Sequence, residues 1–137
     1  MVKRIVIAIV VVFVAWAVLD MVVHGGILRK TYEETSNLWR PMAEMKIGLM
    51  YLVTFVCAVS FVLAYALWVR PKSVARGLGF GLLWGIASGA SMGFGSYSVM
   101  PIPIFMAVMW FTGMAAEMVV AGLVVGVIVK PPAPAAA

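Results

Sequence analysis

Four apolar runs divide this chain, at about residues 5–24, 43–69, 77–99 and 104–129, with polar or proline-containing segments between them. The hydrocarbon core of a bilayer is about 30 Å thick and takes about 20 helical residues to cross. Each run is long enough. Within lipid the backbone must satisfy its own N–H and C=O groups, so a run of this kind crosses as a helix. The expected fold is an all-α, polytopic integral membrane protein, with four transmembrane helices in an antiparallel bundle and a single domain over residues 1–137. Composition agrees: 65% of the residues are hydrophobic and 11% charged, against about 25% charged in soluble domains. A soluble core of this size could not hide so much apolar surface. The lipid bilayer is therefore the first partner implied.

The third run carries the strongest local pattern. Gly77, Gly81, Gly85, Gly89 and Gly93 recur at every fourth residue. On a helix, steps of four drift by about 40°, so the glycines form one slowly winding groove. In water each Gly costs about 1 kcal/mol against Ala. In lipid the helix forms regardless, and the missing side chains let a neighbour approach closely. The spacing predicts a central packing helix buried against at least two others. The same groove is a candidate surface for self-association or for a membrane-protein partner.

The first run follows Lys3 and Arg4 and contains Ala15-Trp16-Ala17, which imitates a signal-peptide cleavage site. The run continues past Ala17, so an uncleaved first helix is expected. Gly25-Gly26 ends it. An outer loop over 25–41 then holds Arg29, Lys30, Glu33, Glu34 and Arg40, with Tyr32 and Trp39 suited to the membrane interface. Pro41 is a favourable first helical position and would place Glu44 in the first turn of the second helix. Arg70-Pro71-Lys72 closes that helix, and Pro101-Ile102-Pro103 separates the third run from the fourth. The Pro/Ala tail, 131–137, is expected to be disordered.

Four spans put both termini on one side. That side holds Lys3, Arg4, Arg70, Lys72, Arg76 and Lys130 without an acid, and the other holds Arg29, Lys30, Arg40 and Lys46. The positive-inside rule then favours cytoplasmic termini. The net charge of +5 is spread between apolar runs rather than gathered on one face, which speaks for topology and head-group contacts and against nucleic acid.

Glu117 is the most informative single residue, because a carboxylate in mid-span costs about 3 kcal/mol on insertion scales. It should face the bundle interior, protonated or hydrogen-bonded. Counting along the spans places Cys57, Ser60, Ser88 and Ser91 at similar depth, so Glu117 with Ser60, Ser88 and Ser91 forms the candidate intramembrane polar or proton site. A polar clasp between helices is the plainer reading of the same residues. Asp20 and His24, four residues apart on one helix face, form a candidate pair at the outer mouth. A carboxylate next to imidazole can orient it or share a metal, give a pH response, or simply clasp the helix end. One histidine and two ligands do not make a metal site, and none is assigned. Cys57 alone excludes an intramolecular disulfide and reads as a small buried hydrophobe.

Eleven methionines raise copper as a possibility, since thioethers suit Cu(I). The stretch MAAEM with Gly122 and Gly126 resembles the MxxxM and GxxxG elements of copper-uptake channels. It departs in spacing, in placing both elements on one helix, and in lacking a Met/His-rich outer segment. No phosphate loop, dinucleotide fingerprint, GxSxG or HExxH occurs. One histidine cannot supply paired haem ligands, and no cofactor is expected.

The segments LDMVVHGGIL (19–28), NLWRPMAEMK (37–46) and YSVMPIP (97–103) resemble those of small, uncharacterised bacterial membrane proteins with four spans. The resemblance implies a four-span fold and a bacterial inner membrane, and it transfers no catalytic residue. Two functional classes follow from the residues. One is a non-enzymatic accessory or scaffold subunit packing within a larger complex or homo-oligomer. The other is a small proton, cation or metal-ion transporter or channel centred on Glu117, with Asp20 and His24 near the outer mouth.

Overall fold

The structure, a computed structural model, describes residues 1–129. Lys130 and the tail expected to be disordered lie outside the described residues. The chain is all-helical among those residues, in the order α1 (Val2–Ile27), α2 (Arg29–Glu34), α3 (Ile47–Trp68), α4 (Val74–Gly95) and α5 (Ile104–Ile128). All but α2 are long and apolar enough to cross a membrane, with mean hydropathies of 2.9, 2.4, 1.2 and 2.0 in chain order. Their outward faces carry residues such as Leu52, Val56, Leu67, Leu83 and Ile86, all exposed. Acyl chains suit such a surface and water does not.

Two of these helices are not regular throughout. α1 widens over Met21–Ile27, and α4 over Ser91–Gly95, to the looser winding in which a residue bonds the fifth one back. In α1 this is seen directly, as the Leu28 N–H donates to the Val23 carbonyl at 2.8 Å. Gly25 and Gly26, expected to end the helix, sit inside the widened segment. The helical path then resumes as α2, so the expected outer loop is helical as far as Glu34. The second membrane helix begins later than Pro41. Met42–Glu44 form a separate tight turn, and the extended Met45 sets it off from α3.

The end of α3 shows why it stops where it does. The Arg70 guanidinium donates to the Ala66 and Val69 carbonyls at 3.0 and 2.8 Å, and Lys72 Nζ donates to Ala66 at 2.7 Å. These carbonyls have no partner within the helix, and cations there also oppose the negative helix end. Ser73 then starts α4 by accepting from the Arg76 N–H at 3.2 Å.

The glycine face of α4 is spent on one neighbour. A Cβ added at Gly77 would overlap the Gly122 carbonyl oxygen, and one at Gly81 would overlap that of Met118. Gly85 faces Ala115, Gly89 faces Phe111, and Gly93 faces Ala107, all on α5. The stripe was expected to bury α4 against at least two helices, but all five contacts fall on α5. Toward α3, α4 offers Phe80, whose ring lies 4.9 Å from that of Phe61. The central element is α5, which packs on α4, on α1 and to a lesser extent on α3.

The interior is in two parts. One core joins Ala8, Val12 and Trp16 of α1 with Val62 and Tyr65 of α3 and Ala121 and Val125 of α5. The other joins Val23 and Leu28 with Ile102, Met106, Ala107 and Trp110. The polar site lies between them.

The seam can be tested by adding single methyl groups. Gly81→Ala should lower stability by about 1–3 kcal/mol, as overpacking does. Gly79→Ala, on the same helix with nothing within 4 Å of the new methyl, should be neutral or slightly stabilising. Thermal melts in detergent would check both, and equal melting of the two variants would contradict the seam.

Candidate functional site

Glu117 is the one buried charged residue of the described chain, at 7% exposure. Asp20 of α1 borders the same cavity as the Glu117 side chain. Two carboxylates held close in a cavity repel each other unless one carries a proton. The cavity measures about 100 Å³, and its walls include His24, Met92, Met109, Trp110, Gly113 and Met114. One turn before Asp20 on α1, the Trp16 indole N–H donates to the Glu117 carbonyl at 2.7 Å. Gly113 contributes by absence, because Val23 stands 3.3 Å from where its Cβ would be.

Side-chain direction explains why these two carboxyls share a cavity. Val12 of α1 shares a core with Val125 of α5, whereas Val23 faces Gly113. Residue numbers therefore rise along α1 as they fall along α5. Helical side chains lean toward their own N-terminus. Asp20 and Glu117 thus lean toward each other, across a depth difference that counting residues along each span overstates.

A second chain of contacts leads away from the pair. His24 Nε2 is 3.6 Å from Asp20 Oδ1, an ion-pair distance, and His24 Nδ1 is 2.6 Å from the Tyr32 hydroxyl. The Trp110 indole N–H donates to that hydroxyl at 2.9 Å. With Trp110 as donor, the Tyr32 proton is free to turn to His24 Nδ1, which leaves Nε2 as the N–H aimed at Asp20. If His24 takes a second proton, Tyr32 can accept from it instead. Asp20, His24 and Tyr32 thus stand in a row, with a hydrogen bond between His24 and Tyr32 and a 3.6 Å gap between His24 and Asp20.

Aromatic rings cover the α2 end of the site. Tyr32 packs edge-on against Trp39 at 5.4 Å, and Trp39 lies 6.1 Å from Trp110. Trp39 is held by its indole N–H, which donates to Thr35 at 2.9 Å. Burial pushes the Tyr32 phenol above its ordinary pKa; the Trp110 hydrogen bond pulls it back, and the Asp20 charge pushes it further up.

The candidate residues from the sequence are thus redistributed. Glu117, Asp20 and His24 line one cavity. Ser60 and Ser88 line a different one between α3 and α4, together with Cys57. The Ser88 hydroxyl bonds its own helix at the Trp84 carbonyl. Ser91 lies exposed in the widened part of α4, beside neither cavity. Among the described residues no three His, Cys, Asp or Glu side chains stand close enough to hold a metal ion. The sequence reading missed Tyr32 and Trp110 as site residues. A signal existed, since Asp20, His24, Leu28 and Tyr32 are each four apart, but it shows only if the helix is carried through Gly25-Gly26.

Comparison with protein-family models, with curated proteins and with solved structures finds no match.

Removing the Tyr32 hydroxyl would orphan the nearly buried Trp110 N–H. Tyr32→Phe should cost about 1–3 kcal/mol, read as a lower melting temperature. The sign with pH follows from the raised phenol pKa. Folding favours the protonated phenol, so its contribution is present below about pH 10, the unfolded value. It is lost as pH climbs through the higher folded value. The gap between wild type and variant should therefore narrow only in strong alkali, and a gap that closes near neutrality would refute the assignment.

Proposed function

We propose that this chain is a multi-pass membrane protein that binds and moves protons at the Asp20–Glu117 pair. The observation that carries the reading is that carboxyls from two helices, Asp20 and the mid-span Glu117, line one cavity, which His24 and Tyr32 connect to the outer end. Ionisable groups at such depth are costly and usually mark ion or proton pathways. The rest of the reading is an antiparallel four-span bundle in a bacterial inner membrane, with both termini in the cytoplasm. Lys3, Arg4, Arg70, Lys72 and Arg76 favour that orientation, and the opposite side would then hold α2.

Access in this conformation is one-sided. Below Trp16 lie Ala8, Val12, Ala121 and Val125, all with no exposed surface. A proton entering past Tyr32 reaches Glu117 and meets a dry wall, so release to the other side requires Trp16 and its surroundings to move. The accessory-subunit reading has less support. It drew in part on a glycine surface larger than one partner helix needs, and all five glycines of the stripe are buried against the single helix α5.

Reconstituted liposomes given a pH jump test the reading. Wild-type protein should relax the gradient, and Glu117→Gln or Asp20→Asn should each slow the relaxation by about a hundredfold or more, the usual range for loss of a proton-transfer group. Wild type with no flux above empty liposomes, or unaltered flux in both variants, would sink the proposal.

A further inference from the structure

A larger cavity, about 420 Å³, lies between α3 and α4, with Trp16 and Met118 also in its walls. Phe61 and Phe80 lie 4.9 Å apart, but between Phe61 and the terminal Trp68, and toward Cys57, the α3 wall is made of Cys57, Ser60 and Ala64. Side chains this small leave the two helices apart. A cleft with so few polar atoms in its walls loses dispersion contacts if it stays empty, so an apolar group belongs in it.

Length and charge together identify that group. From Cys57 to Trp68 the α3 wall rises about 16 Å, which is about half the hydrocarbon core and thus one leaflet. At the Trp68 end the chain turns through Arg70 and Lys72 into α4, with Arg76 one turn on. No Asp or Glu occurs between Glu44 and Glu117, so nothing in this stretch of chain offsets the three cations. Arg70 and Lys72 are held in place by the last carbonyls of α3. Arg76 is exposed. An apolar slot one leaflet long with a basic cluster at its head-group end matches a lipid carrying a negative phosphate. A helix from a second copy of this chain would fill the slot but would give the cations no counter-charge.

We infer that the α3–α4 cleft binds one anionic phospholipid, its acyl chain along Ala64 and Ser60 and its phosphate at Arg70, Lys72 and Arg76. The site is independent of the proton reading and stands or falls separately.

Native mass spectrometry of the purified chain tests this, with equimolar phosphatidylglycerol and phosphatidylcholine of identical chains. One phosphatidylglycerol per protein should be retained, at about tenfold preference or more. Arg76→Gln should weaken that retention about fivefold, as loss of one basic contact does. Ala64→Phe should abolish it by filling the slot; Ser60→Leu serves the same purpose should the first variant fail to fold. Glycerophosphoglycerol, which has the head group without chains, should not compete. Equal retention of the two lipids would overturn the inference. So would retention unchanged by filling the slot, competition by the chainless head group, or a lipid-free dimer closed over the cleft.

Discussion

Where α4 meets α5, α-carbons of one helix face carbonyl oxygens of the other with no side chain between them. Gly77 and Gly122 do this reciprocally, each blocking a Cβ on the other. Contact this close fixes the rotation of α5 about its own axis, because even one added methyl would overlap backbone. Met118 lies on that seam. Glu117, one residue earlier, is turned about 100° away and so comes to face α1. Dispersion and close packing hold helices together in lipid, where the hydrophobic effect between them is absent. The seam is therefore more than a stabilising contact, since it aims the one buried carboxyl.

Between the two apolar cores the polar groups form a thin layer, and each has a protein partner. No buried side-chain nitrogen or oxygen among the described residues is left without a hydrogen bond. The layer joins α1 to α5 through Asp20 and Glu117, and to α2 through His24 and Tyr32. The widened winding of α1 makes this possible. It carries the chain through two glycines without ending the helix, so that Leu28 seats in the core with Ile102 and Met106 and Tyr32 returns to His24. The widened stretch of α4 borders the same cavity through Met92. Departures from regular helix thus gather around the polar site and occur nowhere else in the four long helices.

Much of the architecture is legible in the residues, and the reasons for the rest are specific. Length and hydropathy mark four helices able to cross a membrane, because lipid leaves the backbone no alternative. The rarity of a mid-span acid singles out Glu117. Its partner is harder to read. Depth was counted along straight helices, which set serines beside Glu117 and moved Asp20 outward, whereas side-chain lean closes that gap. Gly25-Gly26 reads as a terminator on propensity alone, and the packing of Leu28 overrides it. The glycine stripe announces close approach but cannot say to what. Gly122 and Gly126 on α5 were the complementary surface, noticed in the sequence only beside a methionine pair.

The low hydropathy of α4, 1.2 against 2.0 for α5, has a bearing on biogenesis. The glycines that allow the seam also remove the apolar side chains that would draw α4 into lipid by itself. As α4 emerges from the ribosome, ahead of α5, the helix it needs has not yet been made. Retention at the translocon until α5 follows, and entry of the two as a hairpin, reconciles a weakly apolar segment with a stable final position. The feature that makes the folded bundle tight makes its assembly depend on the order in which its parts arrive.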